Sequence, residues 1–155
     1  MRRAALALVG AAALAGGATA AAPPPLTATA RPAHAGAARV QLTVKARLDD
    51  LQCGRVVRGP LLLGLPAAAS VPRRVAPGAV TIGGAETAGV RVTGHVLALQ
   101  PGPPKGVICD VIGPGEVTVV VRPSAGVRNP RSPGAYRVWL RLGAQTVAGR
   151  LAVSR

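Results

Sequence analysis

Side chains able to do covalent or proton-transfer chemistry are sparse in these 155 residues: four serines, two histidines, two cysteines and five acids. None of Ser70, Ser124, Ser132 and Ser154 sits in a Gly-x-Ser-x-Gly elbow, the strained turn that exposes a serine nucleophile. The available bases are His34, in an Ala/Pro-rich stretch, and His95, after a glycine turn at a strand start. Those positions suit a solvated and a packed histidine better than a catalytic one. Asp49 and Asp50 are the only adjacent acids, while Glu86, Asp110 and Glu116 stand alone. The spacing therefore predicts neither a carboxylate pair for acid–base work nor a metal cluster. The glycine-rich stretches lack the Gly-Lys-Ser/Thr of a phosphate-binding loop. The expectation is a protein that is not an enzyme, with no catalytic residue, metal or cofactor.

Cations are the remaining chemical resource. Nineteen Lys and Arg face 5 Asp and Glu, a formal charge of +14. Arg73, Arg74, Arg128, Arg131, Arg137 and Arg141 are the candidates for holding a polyanion, with an affinity that falls as salt rises. One tryptophan, one tyrosine and no phenylalanine leave little for stacking bases. Nucleic acid is thereby disfavoured. Solvated sheet faces are the plainer explanation of the same arginines.

The first segment reads as an address. Arg2 and Arg3 precede the apolar run 4–15, and Ala18-Thr19-Ala20 fits the A-x-A cleavage pattern of a secretory signal peptide. The run is too short and alanine-rich for a membrane span, which needs about 20 strongly apolar residues. Cleavage after residue 20 leaves 17 cations against 5 acids, a formal +12, and no stable span. A retained anchor is the alternative. Residues 21–38 hold Pro, Ala and Thr with one bulky apolar side chain, Leu26, which predicts a disordered linker.

From Arg39 the pattern changes. Val40, Leu42, Val44, Ala46 and Leu48 alternate with polar and cationic residues, the period of a half-buried strand. Asp49-Asp50 reads as a turn. Short apolar runs then follow at 56–65, broken by Gly59-Pro60, and at 79–82, 89–93, 95–99 and 117–121, punctuated by Gly and Pro. Residues 136–142 and 145–153 are joined by Gly143-Ala144, which suits a type II′ hairpin. This is the grammar of an all-β domain over residues 39–154. Its core must be aliphatic, with Trp139 as the largest anchor. Either the Trp139 face of its strand is buried, or the Tyr136, Val138 and Leu140 face is and Trp139 lies exposed as a binding contact. A buried Trp139 would cost roughly 3–5 kcal/mol to truncate to Ala.

In an exported chain, Cys53 and Cys109 read as a disulfide. The closed loop spans 57 residues and is credited with roughly 4 kcal/mol. Trp139 follows both cysteines, unlike the Cys…Trp…Cys order of antibody domains.

The stretch AGVRNPRSPGAYRVWLRL, residues 125–142, carries a Gly-hydrophobic-x-Asn-Pro turn followed by Pro-Gly-x-Tyr. Its residues Gly126, Val127, Asn129, Pro130, Gly134 and Tyr136, together with residues 70–94, resemble a block of Ig-like β-sandwich modules found in bacterial secreted, surface-layer and adhesive proteins. The resemblance implies an antiparallel Ig-like sandwich. It also implies a non-catalytic structural or adhesive role, which with the export signal places the chain at the cell envelope, secreted or envelope-associated, with an envelope protein as partner or, from its charge, an anionic polymer. A basic extracellular polyanion-binding module is the competing expectation. Tyr136 opens its strand beside a corner, where it is either a tyrosine corner or an ordinary strand tyrosine.

Overall fold

The computed structural model describes residues 25–57, 59–103 and 111–155. Ten strands account for most of them: β1 Leu26–Arg31, β2 Gln41–Gln52, β3 Leu61–Gly64, β4 Val80–Ile82, β5 Ala85–Glu86, β6 Gly89–Thr93, β7 Val96–Gln100, β8 Ile112–Val121, β9 Gly134–Leu142 and β10 Gln145–Val153. Two single-turn 3₁₀ segments, Pro77–Ala79 and Pro123–Ala125, complete the regular structure. The protein is all-β.

The strands form one sheet in the order β5-β4-β8-β2-β1-β10-β9-β3-β7-β6. All neighbours are antiparallel except β1 and β10, which run parallel with Ala28 opposite Leu151. The sheet curls into a half-barrel that brings its two edges together. Thr87 N–H donates to Val80 O at 3.1 Å on one edge, and the next residue, Ala88, donates to Gln100 O at 2.9 Å near the other. A twisted sheet of this length must curl or split, because strand twist accumulates along it.

Alternation places one residue of every two inside. Leu42, Val44, Leu48, Leu61, Leu97 and Leu140 are fully buried, and the buried core holds no aromatic ring. Tyr136 packs half-buried against its margin. Its hydroxyl donates to Ser132 O at 2.8 Å, the geometry of a tyrosine corner. Asn129 is almost wholly buried, and its Nδ2 donates to Pro32 O and His34 O at 3.0 Å each. Its backbone N–H reaches Ala37 O, so its side chain and its amide both fasten the β1–β2 connection, which Ser154, Pro130 and Val127 hold at further points.

Three readings of the sequence change. Residues 26–31, expected in a disordered linker, are strand β1, with Leu26, Ala28 and Ala30 facing the core. Small alternating Ala and Thr carry little apolar signal, and six paired positions with β2 supply what the local sequence lacks. Asp49-Asp50 is not a turn: β2 runs on to Gln52 through a register shift between Leu48 and Leu51 against β8. Asp49 is fastened there by Gln145, whose Oε1 accepts from Asp49 N–H at 2.8 Å while Nε2 donates to Oδ2 at 3.0 Å. Thirdly, Trp139 is not a core anchor. Val138 and Leu140 face inward with no exposed surface, which turns Trp139 to the outer face, half-buried. Its truncation should therefore cost less than the 3–5 kcal/mol expected of a core tryptophan.

Candidate anion-binding face

The outer face of β10, β9, β3, β7 and β6 is built around the β9–β10 hairpin. Leu142 pairs with Gln145 across Gly143-Ala144, and φ is +55° at Gly143 alone of the two, as a type II′ turn requires. That register sets Trp139 beside Ala148 and Arg137 directly opposite Arg150. On the other side of β9, Gly64 pairs with Trp139 and Leu62 with Arg141. Leu62 then pairs with Ala98 of β7, and Ala98 with Arg91 of β6.

Trp139 lies flat on this surface. A Cβ on Gly64 would overlap Cε2, Nε1 and Cδ2 of the indole, so the ring rests on bare backbone. Ala148, Val96 and Ala98 make the surrounding floor low and apolar, and all three are half-buried. Arg137 and Arg141 stand two residues to either side along β9, with ~13 Å of strand between them at ~3.3 Å per residue. Both are exposed, as are Arg150 and Arg91.

None of these four arginines forms an ion pair among the described residues, and Asp50 lines the same cavity as Arg141 without pairing with it. The ion pairs there are Lys45–Glu116 at 3.9 Å and Arg122–Glu86 at 3.2 Å, both on other parts of the sheet. Arg141 Nε donates to Gly143 O at 3.1 Å, which holds its guanidinium beside the hairpin turn. Arg137 facing Arg150 puts like charges directly across a strand pair, an arrangement that weakens a sheet.

The six arginines singled out from sequence divide into two groups. Arg137 and Arg141 belong to this face. Arg73, Arg74, Arg128 and Arg131 are exposed on loops at the end of the sheet where β9 begins. There Ser70 and Arg128 exchange backbone hydrogen bonds of 3.2 and 2.9 Å, joining the loop of Arg73 and Arg74 to that of Arg131. Sequence reasoning passed over Arg150 and Arg91. Arg150 was legible, since a two-residue hairpin at Gly143-Ala144 dictates its pairing with Arg137. Arg91 was not, because β6 reaches this face through the pairing of β7 with β3.

The remaining motif residues are structural in position. Gly126 ends the Pro123–Ala125 turn in the left-handed conformation, Pro130 O accepts from Gly36 N–H at 2.8 Å, and Gly134 opens β9. Cys53 lies on an exposed turn with its N–H donating to Val111 O at 2.8 Å and Sγ 3.7 Å from the same oxygen. Cys109, and so the pairing expected of it, lies outside the described residues. His34 forms a parallel bridge with Ser154 through its backbone, and His95 sits in the β6–β7 turn, its Nδ1 buried without a hydrogen-bond partner. Among the described residues, no three His, Cys, Asp or Glu side chains cluster as metal ligands, and no helix is long and apolar enough to cross a membrane.

No protein-family model, curated protein or solved structure matches the chain.

Proposed function

We propose that this chain is an exported, non-catalytic adhesive module of Ig-like β-sandwich type, acting at the bacterial cell envelope by contact with anionic polymer. The observation that carries this reading is the outer face of β9 and its neighbours, where Arg137, Arg141, Arg150 and Arg91 have no acidic partner among the described residues. Unneutralised arginines around an apolar floor attract a polyanion and release its counter-ions.

Several features support the sandwich description. One wall pairs β2 with β8, the other pairs β9 with β3 and β10, and β1 joins them, antiparallel to β2 and parallel to β10. The tyrosine-corner bond of Tyr136 is a feature of such sandwiches. Export is supported by Arg2, Arg3 and the Ala18-Thr19-Ala20 pattern, and it favours a Cys53–Cys109 disulfide. Cys53 bonds Val111, two residues along the chain from Cys109, which suits that bridge. Two free thiols in the denatured exported protein would refute it.

Retention of the purified protein on polygalacturonate and polyphosphate tests the proposal. At about 0.01 M salt, where charges act over ~30 Å, both polymers should retain it, and at about 1 M, where they act over ~3 Å, neither should. With four arginines engaged, the slope known for DNA gives a loss of roughly 100-fold in affinity between 0.05 and 0.2 M salt. Absence of retention at the lowest salt would overturn polymer contact and leave a purely structural module.

A further inference from the structure

We propose that the polymer is a glycan, and that Trp139 is the platform on which one of its sugar rings stacks while Arg137 and Arg141 hold acidic groups on either side. The inference rests on the polyanion reading above and deepens it. Charge alone recognises any polyanion. The indole adds a requirement that charge does not: a ligand with a flat, weakly polar face.

Four observations converge on it. Trp139 is the only tryptophan of the chain, and it is spent on the outside of a protein whose core is aliphatic. Its ring is laid flat by the absence of a side chain at Gly64, so one face is supported by backbone and the other is presented outward. The neighbouring positions on β10 and β7 are Ala148, Val96 and Ala98, none tall enough to wall off an incoming ring. Arg137 and Arg141 then flank the platform along the strand, and neither forms an ion pair with an acid among the described residues. A pyranose presents C–H groups on its flat face, which complement the negative face of an aromatic ring. A carboxylate or sulfate projecting from its edge meets a guanidinium with charge-assisted, bidentate hydrogen bonds. An extended chain of such sugars matches an open, flat face in a way that a pocket ligand does not.

The like-charged pair of Arg137 and Arg150 points the same way. Directly opposed cations weaken the β9–β10 ladder in the free protein, and an acidic group bridging them relieves that repulsion. Polymer should therefore raise the unfolding midpoint at low salt, by linkage to the folded state.

The single tryptophan makes the test direct, because its fluorescence reports this position and no other. Titration of the unmodified protein with polygalacturonate at low salt should change the intensity or wavelength of Trp139 emission, saturating with the binding curve. Polyphosphate, which has charge and no sugar face, should bind with no such change. Trp139→Ala should weaken polygalacturonate at least tenfold and polyphosphate less than twofold. Equal binding of both polymers by Trp139→Ala, with silent fluorescence in the unmodified protein, would overturn the platform and leave the polyanion reading standing. Failure of both polymers to bind at low salt would remove that reading and the platform with it. A single-stranded oligonucleotide that perturbed Trp139 and bound more tightly than polygalacturonate would replace the glycan with nucleic acid and overturn the inference.

Discussion

Replacing Gly64 by alanine isolates the contact on which the proposed face depends. The backbone of Gly64 is ordinary strand, so alanine by itself should be tolerated there, and its smaller loss of chain entropy should favour folding by roughly 0.5–1 kcal/mol. The new methyl, however, would occupy the position of the Trp139 indole. Carbon atoms pack at about 3.5–4.0 Å, so the ring must lift or swing away. Overpacking of this kind costs roughly 1–3 kcal/mol, which leaves Gly64→Ala net destabilising by roughly 0.5–2 kcal/mol. With Trp139 already replaced by alanine the obstacle is gone, and the same substitution should become neutral or stabilising. Urea unfolding followed by far-ultraviolet circular dichroism, which needs no tryptophan, measures all four corners of this double-mutant cycle. The expected coupling is roughly 1–3 kcal/mol with a reversal of sign. Equal destabilisation by Gly64→Ala in both backgrounds would show that the indole does not rest on Gly64, and the flat platform would go with it.

Three other substitutions read different parts of the molecule. Asn129→Ala removes the Nδ2 donor from Pro32 O and His34 O and should lower stability by about 2 kcal/mol, seen in thermal unfolding; Asn129→Asp, which cannot donate when ionised, should be no better. Tyr136→Phe deletes the bond to Ser132 O and should cost about 0.5–1.5 kcal/mol by urea unfolding, without altering polymer retention. Arg150→Thr relieves the repulsion with Arg137, so it should stabilise the free protein by about 0.2–1 kcal/mol while weakening retention on polygalacturonate. Stabilisation without weakened retention would remove Arg150 from the binding face.

Much of the scaffold is written in local pattern. Strand β2 follows from five alternating apolar positions, and the β9–β10 hairpin follows from Gly143-Ala144 between two alternating runs. Even the inward and outward sets of β9 are legible, because a period of two separates Tyr136, Val138 and Leu140 from Arg137, Trp139 and Arg141. The choice of which set goes inside is not local: both contain large apolar surface, and the partner strands decide. Leu61 and Leu63 oppose Leu142 and Leu140 on the inside, while Gly64 opposes Trp139 on the outside, where only a glycine leaves room for the ring. Strand β1 was illegible for the converse reason. Its alanines and threonines bury little surface themselves, and their order comes from six pairings with β2, from β10 alongside, and from Asn129, which fastens the residues just beyond the strand.

Sequence alone determined an all-β, aliphatic-cored chain with an excess of arginine and a hairpin formed by residues 134–153. Those properties depend on composition and on periods of a few residues, which no tertiary arrangement can alter. The candidate face belongs to tertiary structure. It draws Arg91 from β6, Gly64 from β3, Trp139 from β9 and Arg150 from β10, and strand order alone places them on one face. Pairing between distant strands is settled by burying the common core, so the surface on the other side of those strands is fixed by what the inside required.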